Sequence, residues 1–151
     1  MKTYIYIALS LLSLLVTTSC NREDNIDLIF HDKTYYMTGG ELNDVALNQE
    51  VAHFYRDENG NPYGKSAYYI HFTSETFTIV LTPGEEYNGR WTADGKTRLM
   101  SMNIKNEHSP SKVFDRNIYA VLKQIRYYEG DSKQIILYSD RNNFIRLYNE
   151  R

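Results

Sequence analysis

The chain has 151 residues, enough for one domain and not comfortably two. Its 42% apolar and 14% aromatic content lets it bury a core, which excludes a disordered chain. A formal net charge of −2 supplies no field that would draw nucleic acid, so that partner class is set aside.

Lys2 is the only charge before Arg22, and Tyr4 to Val16 is an apolar run of 13 residues. That run is too short for a bilayer core, which takes roughly 20 residues in a helix. A positive start, a short apolar centre and the small residues Thr17, Thr18 and Ser19 predict a signal peptide over residues 1–19. Cys20 follows at once and is the chain's single cysteine, so no intramolecular disulfide is available. The arrangement resembles the lipobox of bacterial lipoproteins, although Thr17 stands where that box usually has Leu or Val. The resemblance implies a lipid on Cys20, and through it the membrane as a partner. Arg22-Glu23-Asp24 resembles the export signal of surface-exposed Bacteroidetes lipoproteins. The expected location is therefore the cell envelope, as an outer-membrane lipoprotein, with surface display compatible. Residues 20–32 are expected to be a tether and residues 33–151 a single domain.

Short runs of aromatic and β-branched residues separated by turn signals predict β structure through most of that domain. The chain carries 14 tyrosines, whose rings suit half-exposed strands while their hydroxyls keep a polar partner. Strands are expected at Thr34–Met37, ended by Gly39–Gly40, and at Val51–Tyr55, followed by an Asp57–Pro62 turn. Ala67–Phe72 and Thr76–Leu81 read as a hairpin through Ser74–Glu75, with Pro83–Gly84 closing it. An Asp94–Gly95 turn precedes Leu99–Ile104, which alternates apolar and polar residues as a half-buried strand does. Val113, Phe114, Ile118, Val121, Leu122 and Ile125 recur at three- and four-residue steps and predict an amphipathic helix from about Pro110 to Lys123, capped at Ser109. Strands return at Ile125–Tyr128, Ile135–Tyr138 and Phe144–Tyr148; the unbroken Ile135-Ile136-Leu137 suggests cover on both faces. The expected fold is mainly β (α+β), an antiparallel half-barrel or small barrel, with one amphipathic helix near residues 110–123 plugging an end.

From Ala67 onward this order is similar to the META domain of small bacterial lipoproteins of the HslJ type. The residues that carry the likeness are Tyr68 and Phe72, Asn88–Gly89, Asn103, Phe114 and Leu122, Tyr127 and Tyr128, and the closing run from Ile135 to Tyr148. Glu86-Tyr87-Asn88 stands where that family commonly has Gly-Cys-Asn. The resemblance implies a fold and an envelope location and brings no catalytic residues.

Chemistry is sparse. His31, His53, His71 and His108 show no metal-ligand spacing, and no nucleophile elbow or phosphate-binding glycine loop occurs. Asp57-x-Asn59-x-Asn61 begins like a calcium loop but lacks its sixth-place glycine and twelfth-place glutamate. No catalytic residue, metal or cofactor is expected. Trp91, flanked by Tyr87 and Arg90, either fills the core of the sheet, as strand packing favours, or forms the one candidate binding surface, for a glycan, peptide or small molecule. The reading is thus a non-catalytic lipid-anchored envelope or surface lipoprotein with a binding or envelope-support role. Its alternative is a lipocalin-like barrel that binds a small apolar ligand in a cavity of about 300 Å³ or more.

Overall fold

A computed structural model describes residues 23–47, 68–81, 85–105 and 108–149. The expected signal peptide, Cys20, the strand at Val51–Tyr55, the Asp57–Pro62 turn and Pro83–Gly84 lie outside the described residues. In chain order the elements are α1 (Ile26–Phe30), β1 (Lys33–Leu42), β2 (Val45–Ala46), β3 (Tyr69–Phe72), β4 (Thr76–Val80) and β5 (Glu86–Ala93). They continue with β6 (Met100–Ile104), α2 (Val113–Leu122), β7 (Tyr127–Gly130), β8 (Gln134–Asp140) and β9 (Asn143–Tyr148).

Eight strands pair antiparallel in the order β6-β5-β4-β3-β1-β9-β8-β7, and β2 forms a short flap on β1. The two outer strands then meet through an isolated antiparallel bridge, Leu99 to Tyr127. The Met100 N–H donates to the Arg126 carbonyl at 2.8 Å, and the Tyr128 N–H donates to the Arg98 carbonyl at 3.0 Å. The result is a nearly closed antiparallel barrel with two short helices, as the alternation of apolar and polar residues predicts. Most strands send alternate side chains inward: Tyr87 and Trp91 in β5, Ile135, Leu137 and Ser139 in β8.

The helices lie at opposite poles. Asn25 caps α1, its Oδ1 accepting the Leu28 N–H at 3.1 Å. Phe30 enters the barrel from α1 and meets the rings of Phe72, Trp91 and Tyr128 at 5.2, 5.1 and 5.1 Å. At the other pole α2 lies beside the ends of β1 and β8 and the start of β9, burying Ile118, Tyr119, Val121 and Leu122.

Four fully buried tyrosines pin these plugs to the wall. At the α1 pole the Tyr35 hydroxyl donates to the Ile29 carbonyl at 2.7 Å, and the Tyr128 hydroxyl to Asp24 at 3.1 Å. At the α2 pole the Tyr68 hydroxyl donates to the buried Asp115 carboxylate at 2.8 Å, and Tyr87 to Glu85 at 3.0 Å. The tyrosine content therefore serves more than half-exposed strand faces: rings fill the barrel while hydroxyls satisfy the lids.

Several expectations change. Asp24 to Asp32, expected within a tether, belongs to the fold as a docked residue, a cap and a helical plug. Gly39–Gly40 does not end β1; the strand runs through a bulge between Met37 and Gly39, and a Cβ on Gly40 would meet the Phe144 carbonyl oxygen of β9. The late helix starts at Val113, later than Ser109–Pro110 suggests, because Ser111 is held by Glu85 through both its N–H and its hydroxyl. Ile136 is only half-buried, so β8 has one covered face rather than two.

Candidate functional site

Cys20, the expected lipid attachment point, lies outside the described residues. Among the described residues, the first docked one is Asp24. The Asp24 N–H donates to the Gly95 carbonyl at 2.9 Å. The Asp24 carboxylate takes the Arg98 Nε at 2.9 Å and the Tyr128 hydroxyl at 3.1 Å. The Asp94–Gly95 turn expected from the sequence creates this dock. Asp94 Oδ1 accepts the Lys96 and Thr97 N–H groups at 2.8 and 3.2 Å, which closes the turn and holds the Asp94 carboxyl below its ordinary range. Gly95 then lies so close to the Asp24 carbonyl that a Cβ would collide with it. Arg98 adopts a left-handed backbone at φ 60°, unusual for a long side chain, and this aims its guanidinium at Asp24.

Electrostatics keep both side-chain donors of the dock, Arg98 and Tyr128, protonated near neutral pH. The hydrogen bond from Arg98 to Asp24, then the Asp24 charge, raises the guanidinium further. Burial first, then the hydrogen bond to Asp24, pushes the Tyr128 phenol well above its ordinary value, so it remains a donor. The Arg98 side chain is 47% exposed and that of Asp24 only 16%. The ion pair alone therefore adds at most about 1 kcal/mol, and the backbone bond and the tyrosine fix the geometry.

The aromatic platform does not assemble, and Trp91 fills the core. Trp91 is 8% exposed and Tyr87 is fully buried, both on the inner face of β5, whereas Arg90 between them points outward. The Trp91 Nε1–H donates to the carbonyls of Thr73 and Thr76, both at 3.1 Å, so ring and polar edge are engaged. Period-two alternation is the physical reason: neighbours in a strand cannot share a face.

Open recesses lie on the surface of the described residues. A groove of about 520 Å³ runs along the seam, lined by Thr92, Leu99, Met100, Ser101, Ile125 and Arg126 among others. A smaller, more polar recess of about 330 Å³ lies at the α2 pole, between α2 and the β8–β9 turn. The barrel axis is occupied by Phe30, Phe72, Phe77, Trp91, Tyr87 and Tyr119.

The described histidines serve local contacts. His71 shares a hydrogen bond with Thr34 at 2.9 Å, His31 lies 3.4 Å from Asp32, and the His108 ring leans on Tyr87 at 5.0 Å. No group of three or more His, Cys, Asp or Glu side chains that could hold a metal occurs among the described residues. Nor is any helix among them long and apolar enough to cross a membrane. The dock at Asp24 is the feature that sequence reasoning missed. Its one local signal was Asn25 followed by the apolar Ile26, Leu28, Ile29 and Phe30, a cap and a plug in a stretch too short to show a period.

The model of a family described as a domain of unknown function, DUF4847, matches residues 21–149. The crystal structure of a DUF4847 family protein from Bacteroides vulgatus, at 1.00 Å resolution, is similar in fold. It has a TM-score of 0.60 and 21% sequence identity, over 82% of this chain and 96% of that one. No curated protein matches the chain. These findings overturn the likeness to the META domain. That likeness began at Ala67 and rested on strand alternation with one late helix, which barrels of other families share; the family match begins at Asn21 and takes in α1 and β1. The chain belongs to the DUF4847 family.

Proposed function

We propose that the protein is a non-catalytic, lipid-anchored component of the cell envelope, held to the outer membrane through Cys20, whose barrel acts as a rigid binding or supporting body. The observation that carries this reading is the dock at Asp24. The hydrogen bonds described above are made by Asp24 and residues after it, so removal of residues 1–19 takes away none of them. The lipobox-like stretch then ends a few residues before the first docked one. The rings along the axis favour work on the outer surface, toward a protein, glycan or small-molecule partner, over a lipocalin-like interior site.

The test is fractionation of cells that express the full chain. Wild-type protein is expected in the membrane fraction with a metabolically incorporated fatty acid, and Cys20→Ala in the soluble fraction without it. A Cys20→Ala protein that stays with the membrane defeats the anchor. Sustained turnover by the purified wild-type protein on a broad hydrolase panel defeats the non-catalytic part.

A further inference from the structure

We infer that the α1 pole of the barrel is a membrane-contact surface, held against lipid headgroups by a very short leash, while the α2 pole points away from the membrane. This rests on the anchor reading above and adds an orientation to it.

The leash is a matter of chain length. Cys20 and Asp24 are four residues apart. Fully extended, that stretch spans at most about 14 Å, whatever path it takes. Asp24 is fixed to the barrel by Gly95, Arg98 and Tyr128, so no further slack is drawn from the residues after it. Phe30 fixes the chain a second time from inside the barrel. The opposite pole is beyond that reach. β5 runs eight residues from Glu86 to Ala93, and at about 3.3 Å per residue and a barrel tilt near 40° the two poles stand about 20 Å apart.

The surface near the leash fits this position but does not select it, because Val45 and Val113 at the α2 pole are equally exposed; the leash sets the orientation. Leu28 on the outer side of α1 is 56% exposed, and Leu99 beside the docking turn is 58% exposed. Both are large apolar side chains able to enter the interfacial layer, and Lys96 is exposed in the docking turn itself. Asp27 and Asp32 are exposed at the same pole, so it is not a basic patch; tether length, not charge, holds it down. The polar recess beside Asn117, Asp140 and Asn143 then faces outward, away from the lipid.

The experiment uses the full, acylated protein in vesicles of phosphatidylethanolamine and phosphatidylglycerol that contain a headgroup spin label. Cys20 is the chain's single cysteine, and acylation consumes its thiol, so an introduced cysteine can be labelled alone. One fluorophore is placed at the α1 pole by Lys96→Cys and one at the α2 pole by Arg141→Cys. With about 20 Å between the poles, the Lys96 position is expected to be quenched at least about threefold more. Ten glycine and serine residues inserted between Arg22 and Glu23 have a mean reach of about 16–19 Å and are expected to bring the two signals together. Equal quenching with the native leash, or a ratio that the insertion leaves unchanged, overturns the orientation. Flotation with the vesicles reports separately on the anchor: wild type floats and Cys20→Ala does not. Equal flotation of the two would sink the anchor reading itself, whatever the label ratio.

Discussion

Removing the Phe30 ring tests whether α1 is a true plug. Phe30 is fully buried, and its neighbours Phe72, Trp91 and Tyr128 are large rings with little freedom to close a gap. Trp91 is tied at Nε1 to Thr73 and Thr76, and Tyr128 at its hydroxyl to Asp24. A Phe30→Ala change therefore loses the ring's transfer energy and leaves most of its cavity, a cost of about 3–5 kcal/mol. With a urea slope near 2 kcal/mol/M, the unfolding midpoint is expected to fall by about 2 M. The chain has one tryptophan, and it touches this ring, so its fluorescence reads the same event locally. Its emission is expected to shift to the red as water reaches the pole. Leu28→Ala, on the exposed side of the same helix, is the control and should stay within about 0.5 kcal/mol of wild type. A Phe30→Ala protein that loses less than about 1 kcal/mol and keeps the wild-type emission would show that α1 does not seal the barrel.

The dock has its own test in Gly95→Ala. The new Cβ would strike the Asp24 carbonyl oxygen, so the segment must lift, at a cost of about 1–3 kcal/mol. Faster amide exchange over α1 should accompany the loss, and unchanged exchange there would contradict the docking geometry. Acid stability provides another check. The hydroxyl of Ser111, then its N–H, holds the Glu85 carboxyl below its ordinary value of 4.5, and turn N–H groups lower Asp94, Asp131 and Asp140 from 3.8. Groups depressed in the folded state stabilise it fully above those ordinary values, and that support is lost as pH falls through the folded ones. The urea midpoint should hold from neutral pH down to about 5 and fall below about 4.5, more gently in Glu85→Gln. An identical acid limb in wild type and Glu85→Gln would rule out the role given to Ser111.

Most strands were legible because their signals are local. Thr76–Val80 and Met100–Ile104 show alternation, and the Asp94–Gly95 turn shows its own chemistry. The α2 helix was legible from its three- and four-residue steps, but its start was not, because Glu85, far off in sequence, takes the Ser111 donors. Gly39 and Gly40 looked like a stop signal; their actual reason is the close passage of β9, which no local pattern contains. The site fared worst. Trp91 attracted attention as a lone aromatic beside a cation, yet strand alternation sends Trp91 and Arg90 to opposite faces. The contacts that fix the N-terminal segment join Asp24 to residues 95, 98 and 128, a proximity that only the closed barrel creates.

The place of β1 in the sheet has a consequence for how the chain can be made. β1 lies between β3 and β9, so the first long strand finds its second partner only in the last one. Tyr36 pairs with Tyr148 and Met37 with Leu147. Until residues 143–148 are delivered, one edge of β1 has no ladder, and β8 and β7 can join the other strands only across the short Leu99–Tyr127 seam. Such a topology is rich in contacts between distant residues and so folds slowly, and a truncated chain cannot finish it. For the exported chain proposed above, closure of the barrel then waits until the C-terminal strand has crossed the membrane.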